Sequence, residues 1–170
     1  MTERARRLCQ MGAAGLLALG LAATIMAPPR PRLVWNASPS APIGLYAVVE
    51  GAPAAGDIVI AWPPASVRQL AARRHYLPAN VPLVKRVAAG PGDRLCALGS
   101  GILVNGRRVA RRLARDGAGR PMPWWRGCTR LRAGSWFLLV ADSPASFDGR
   151  YFGPTGGRDM IGKARLLWAR

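Results

Sequence analysis

Pro82-Leu83-Val84-Lys85-Arg86-Val87 reads as a β-strand: a short run rich in β-branched and aliphatic residues, stopped by the turn residues Pro91-Gly92-Asp93. The same grammar extends in both directions. Upstream, Gly44–Val49 and Asp57–Trp62 are strands, the second led in by Gly56-Asp57. Downstream, Arg94–Leu98, Ile102–Asn105 and Arg107–Val109 form a meander, turned by Gly99-Ser100-Gly101 and by the hairpin signal Asn105-Gly106. Ser135–Val140 and Lys163–Trp168 complete the set. The clear helix is Ala65–Leu77, bounded by Pro64 and Pro78. These elements predict a mainly β domain of two antiparallel sheets with one short helix.

Lys85 is out of place in such a strand. Of 25 basic residues only Lys85 and Lys163 are lysines, so arginine supplies positive charge almost everywhere else. An amine can give up its proton when desolvated, whereas a guanidinium effectively cannot. A neutral amine is a general base, and upstream Asn36-Ala37-Ser38-Pro39-Ser40-Ala41-Pro42-Ile43-Gly44-Leu45-Tyr46 offers a serine for it to activate. Taken singly, a strand lysine more often snorkels to a sheet edge, and a serine between prolines is more often a loop residue. A third segment changes the balance: Asp142-Ser143-Pro144-Ala145-Ser146-Phe147-Asp148-Gly149-Arg150-Tyr151-Phe152-Gly153-Pro154.

In this order and at this spacing, the three blocks resemble the type I signal peptidases, and specifically the TraF-type peptidases of conjugative transfer systems. The resemblance runs over roughly residues 33 to 168. It implies the two-sheet signal-peptidase fold, with Ser40 as nucleophile and Lys85 as general base. It further implies that Ser38 and the Ser40 backbone N–H form an oxyanion hole, and that Ser146 orients the lysine amine. Asp148 and Arg150 stand where the family has a structural ion pair, and Asp142 is placed to pair with Arg86. Gly149 occupies a position where serine is common, and the interval from Asp142 to Ser146 is one residue short of the housekeeping pattern; both fit the TraF-like branch. Gly44 would admit a substrate backbone at close range.

The N-terminus sets the compartment. Arg4, Arg6 and Arg7 precede Leu8–Ala27, twenty residues without a charge, enough helix to cross a hydrocarbon layer of about 30 Å. The basic flank places residues 1–7 in the cytoplasm, 8–27 in the membrane and 28–170 outside. The competing reading is a cleaved signal, with small residues at Gly20-Leu21-Ala22 and a mature end at Ala23. The helix would stop at Pro28-Pro29-Arg30-Pro31, a short stiff spacer. Export permits disulfides, and Cys96 with Cys128 is the only pair beyond Cys9. The expected location is a bacterial inner membrane, with the catalytic domain on its periplasmic side.

Composition narrows the chemistry further. The net charge of +17 suits nucleic acid or an anionic surface. The arginines are dispersed, however, and no nucleic-acid-binding motif accompanies them, so no nucleic-acid partner is expected. A single histidine, His75, sits in Arg73-Arg74-His75-Tyr76, away from any Gly-x-Ser-x-Gly elbow. One histidine and three scattered cysteines make no typical zinc site, and no cofactor is expected. The expected partners are membrane lipid around the N-terminal helix and an exported precursor, such as a conjugative pilin, bound in extended form. An acyl-enzyme resolved by water or by an amine remains open on the residues alone, as do two alternatives to the peptidase: a catalytically inactive membrane-tethered β module of a secretion or conjugation assembly, and a basic nucleic-acid-binding protein.

Overall fold

The computed structural model describes residues 3–26 and 31–170 and contains two separate units. The first holds α1, Glu3–Met26, long and apolar enough to cross a membrane over Glu3–Thr24. Its leucines are uncovered, as lipid-facing side chains would be. The helix starts ahead of the anchor expected at Leu8 and takes in Arg4, Arg6 and Arg7. The expected spacer lies, apart from Pro31, outside the described residues.

The second unit, Arg32–Arg170, is mainly β. In chain order it contains β1 (Leu33–Asn36), β2 (Gly44–Val49), β3 (Ile58–Ala61), α2 (Ala65–Arg73), β4 (Leu83–Ala89), β5 (Arg94–Leu98), β6 (Gly101–Val104), β7 (Arg107–Arg111), β8 (Gly127–Arg130), β9 (Ser135–Leu139), α3 (Gly149–Phe152), β10 (Thr155–Gly156) and β11 (Met160–Ala169). Seven strands form one antiparallel sheet in the order β1-β2-β11-β3-β4-β9-β10, and four form a second in the order β7-β6-β5-β8.

The central strands are apolar at successive positions because both of their faces are covered. In β3, Ile60 joins Val34, Tyr46 and Val84 in one cluster, while Val59 and Ala61 join Val87 and Leu138 in another. A third cluster, including Ala89, Leu95, Ile102, Phe137 and Leu139, locks the small sheet against the ends of β4 and β9. The two sheets are therefore held together by one shared core.

The expected helix ends early. α2 stops at Arg73, and His75 takes φ +58°, a left-handed conformation that no α-helix continues. Four elements escape the sequence reading: β1, β8, α3 and β10. The Cys96–Cys128 disulfide is formed, between residues directly opposite each other in β5 and the edge strand β8.

Candidate active site

Ser40 lies on the turn between β1 and β2. Pro39 and Pro42 fix φ on either side of it and lack an N–H, so the turn cannot join a ladder. Its hydroxyl donates to the Val84 carbonyl at 2.9 Å and lies 2.7 Å from the Ser38 hydroxyl. Val84 directly precedes Lys85, so this one bond brings two segments 44 residues apart to the same point of β4. The Ser40 backbone N–H makes no hydrogen bond among the described residues. It is a free donor beside the hydroxyl.

Lys85 is 6% exposed and stands opposite Val59 of β3. Its Nζ donates to Ser146 Oγ at 2.8 Å. Burial lowers the amine's pKa from 10.5 to about 8; Asp148 pulls it back up and Arg150 pushes it down. The two charges act in opposite directions, and desolvation is the largest cause.

Ser146 sits on the turn after β9, where its N–H donates to the Ser143 carbonyl at 3.0 Å. That turn is anchored by a fully buried ion pair. Asp148 Oδ1 accepts from Arg150 Nε at 2.8 Å, and Asp148 Oδ2 accepts from the Val140 N–H at 3.0 Å. Arg150 spends its remaining donors on the Arg111 and Val140 carbonyls. Every member of the pair is satisfied, the condition under which a buried charge pair can persist. The segment that leaves β9 at Val140, the end of β7 at Arg111 and the turn carrying Ser146 are thereby tied to one knot.

Ser38, Ser40, Lys85 and Ser146 line one cavity of about 510 Å³, walled by apolar residues such as Leu83, Val140 and Phe147. A second wall contains Tyr76 and Leu77, pinned where the Tyr76 hydroxyl donates to Asp116.

Two expectations are corrected. Arg86 does not pair with Asp142: its guanidinium donates to the Gly56 carbonyl at 2.6 Å, and Asp142 is exposed with no ion pair among the described residues. Arg86 follows the buried Lys85 along β4, so strand alternation turns its side chain to the opposite, exposed face, away from the site. The backbone that approaches Gly44 is the chain's own, since a Cβ there would lie 2.0 Å from the Trp168 carbonyl oxygen of β11. Lys85 and Ser40 share no direct hydrogen bond in this arrangement; each is held by its own partner. At Gly149, a Cβ would come within 2.7 Å of the Leu138 carbonyl and the Phe137 ring, so this chain has no room for the serine common at that position.

Sequence reasoning also missed Asn36. Its buried amide contacts the backbone on both sides of Ser40. A lone asparagine at a strand end carries no signal that could have marked it.

Compared with known proteins, the chain matches the family described as signal peptidase, peptidase S26, over residues 5–169. The chain belongs to that family. Among its relatives are a probable conjugal transfer protein TraF of Sinorhizobium fredii, 36% identical over 76% of this chain and 73% of that protein, and a plasmid transfer protein TraF of Escherichia coli, 33% identical over 87% and 90%. A solved signal peptidase I from Enterococcus faecalis aligns at 17% identity and a TM-score of 0.40, covering 71% of this chain and all of that one. Membership of the S26 family, together with the apolar N-terminal helix, makes this a membrane-associated, peptidase-like protein.

Proposed function

We propose that this S26 member is a membrane-anchored endopeptidase in which Ser40 attacks the scissile carbonyl and Lys85 is the base. The observation that carries the reading is the buried Lys85 amine, its pKa lowered to about 8 and its geometry fixed by Ser146, on the same cavity as a serine held against the neighbouring residue. A base poised near the operating pH is what proton abstraction from a hydroxyl requires.

The steps follow from the donors present. Ser40 leaves the Val84 carbonyl by rotation about χ1 and gives its proton to neutral Lys85 as its oxygen bonds to the substrate carbonyl carbon. The oxyanion so formed is met by the free Ser40 N–H and by the Ser38 hydroxyl; loss of one such donor typically costs about 2.7–4 kcal/mol of barrier. Collapse breaks the peptide C–N bond, and the Lys85 ammonium returns its proton to the departing amine. Water then attacks the acyl carbon and gives a proton to Lys85; the Ser40 Oγ–acyl bond breaks and Lys85 passes that proton to Ser40 Oγ, which restores the hydroxyl and the neutral amine. Asp148 and Arg150 hold this machinery in place and take no proton themselves.

The substrate class is an exported precursor, bound extended with small side chains beside the scissile bond. Because the relatives are named as conjugal and plasmid transfer proteins, a pilin or similar precursor of a conjugative system is the proposed substrate. The basic residues ahead of the apolar helix favour a catalytic domain on the periplasmic side of an inner membrane. The test is co-expression of the full chain with the exported precursors encoded beside it. Wild type should shorten one of them and Ser40→Ala should not; equal cleavage by Ser40→Ala would overturn the assignment.

A further inference from the structure

Asn36, the last residue of β1, is 4% exposed, and every polar position of its side chain is turned into the loop that carries Ser38 and Ser40. Its Nδ2 donates to the carbonyls of Ser38, Ala41 and Pro42 at 2.9, 3.0 and 3.2 Å. Its Oδ1 accepts from the Ser38 N–H at 3.3 Å and from the Ser38 hydroxyl at 3.1 Å. The surroundings fix the amide's orientation, because the reverse would set an oxygen against three carbonyls. Aspartate would lack the donors, alanine would lack everything, and glutamine is a methylene too long. A loop with prolines at 39 and 42 leaves carbonyls without ladder partners, and those turned toward the buried Asn36 amide need a donor. Asn36 supplies it.

We propose that Asn36 is a positioning residue of the peptidase site and acts through Ser38. The inference rests on the Ser/Lys reading above. The Ser38 hydroxyl has one proton and two acceptors within reach, Asn36 Oδ1 and Ser40 Oγ. When charge develops on the substrate oxygen, that proton turns toward it. Asn36 Oδ1 keeps its bond to the Ser38 N–H, so the residue stays in place while its donor swings. The bonds from Nδ2 to Ala41 and Pro42 hold the far side of the turn, which keeps the free Ser40 N–H on the same oxygen. Removing this brace should cost alignment more than binding.

The experiment uses the full chain in detergent and p-nitrophenyl acetate as the acylating probe, with the burst of nitrophenolate reading acylation of Ser40. For Asn36→Asp the acylation rate at saturating ester should fall about 10²-fold, the scale of loss for a misplaced reacting group. The half-saturating concentration should change by less than about threefold. The ratio of variant to wild-type rate should climb as pH falls from about 9 to about 6, because a buried carboxyl regains a donor when it takes up a proton. The Asn36→Asp and Ser38→Ala losses should not add in the double variant, since one acts through the other. Tyr46→Phe removes a 2.8 Å bond to the Pro42 carbonyl of the same loop and should stay within about threefold of wild type, because Ser38 keeps its anchor. Asn36→Asp acylating at the wild-type rate, losses that add in full, an equal loss in Tyr46→Phe, or an Asn36→Asp chain that does not fold would each overturn the proposal. A wild-type burst that survives in Ser40→Ala would instead fail the peptidase reading, so the two failures are told apart.

Discussion

Replacing Lys85 with methionine keeps most of the side-chain volume and removes a buried amine. In the folded chain that amine has its pKa lowered from 10.5 to about 8, which corresponds to about 3 kcal/mol against the charged form. At pH 7 the unfolded chain carries a solvated, protonated lysine, and the folded chain must bury it or strip it. Folding therefore bears nearly the whole of that cost below pH 8, and the cost falls away as pH rises toward the unfolded value. The substitution also deletes the hydrogen bond to Ser146, worth about 1 kcal/mol. Lys85→Met should thus be more stable than wild type by about 2 kcal/mol at pH 7, raising the melting temperature by roughly 6 °C. At about pH 10 the gain should vanish. Thermal melts of the full chain in detergent at the two pH values measure both numbers. A variant that is less stable than wild type at pH 7, or whose gain does not depend on pH, would show that the amine is not held in a desolvated state, and the case for a neutral base would go with it.

Acylation should rise with pH through an inflection near 8 and then level off, because the amine must be neutral to accept the Ser40 proton; an inflection near pH 4–5, the carboxylate range, in a pH–rate profile would transfer the role to an acid. Gly149→Ser should destabilise the domain by about 1–3 kcal/mol, because its Cβ would meet the Leu138 carbonyl and Phe137 ring; denaturation midpoints equal to wild type would refute the tight packing. Across β5 and β8 the like-charged Arg94 and Arg130 face each other two residues from the disulfide, an arrangement that repels. Replacing Cys96 and Cys128 with serine should therefore cost about 2–5 kcal/mol, and an unchanged melting temperature would make the bridge idle.

How much of this was legible depended on whether a residue's surroundings are local. β3, β4 and β9 could be read because both of their faces are buried and turn residues bound them. β8 could not: all four of its residues are exposed, so it has no apolar alternation and owes its place to backbone pairing and the disulfide. The four-residue α3 is too short for any periodicity, and its first turn is capped by Asp148, a residue that reads equally well as a shell acid. Lys85 stood out because a lysine is an unlikely residue inside an apolar strand of an arginine-rich chain; Ser40 and Ser146, ordinary loop residues taken singly, were marked by the order and spacing of the three blocks. The partner of Arg86 was misread although alternation along β4 sets it on the face opposite Lys85; what sequence order does not show is that the Gly56 carbonyl waits there. Asn36 was invisible for a related reason. Its meaning lies in three carbonyls that fold back toward it, and a chain of letters does not show where carbonyls point.

The central claim is that Ser40 becomes acylated with Lys85 as the base. The direct measurement is intact-mass and peptide mass spectrometry of the full chain quenched during turnover of a precursor peptide or an activated ester. The predicted result is an acyl adduct on the peptide containing Ser40 in wild type, and none in Lys85→Arg, whose guanidinium keeps its proton. An adduct on another residue, or one formed at the wild-type rate in Lys85→Arg, would contradict it.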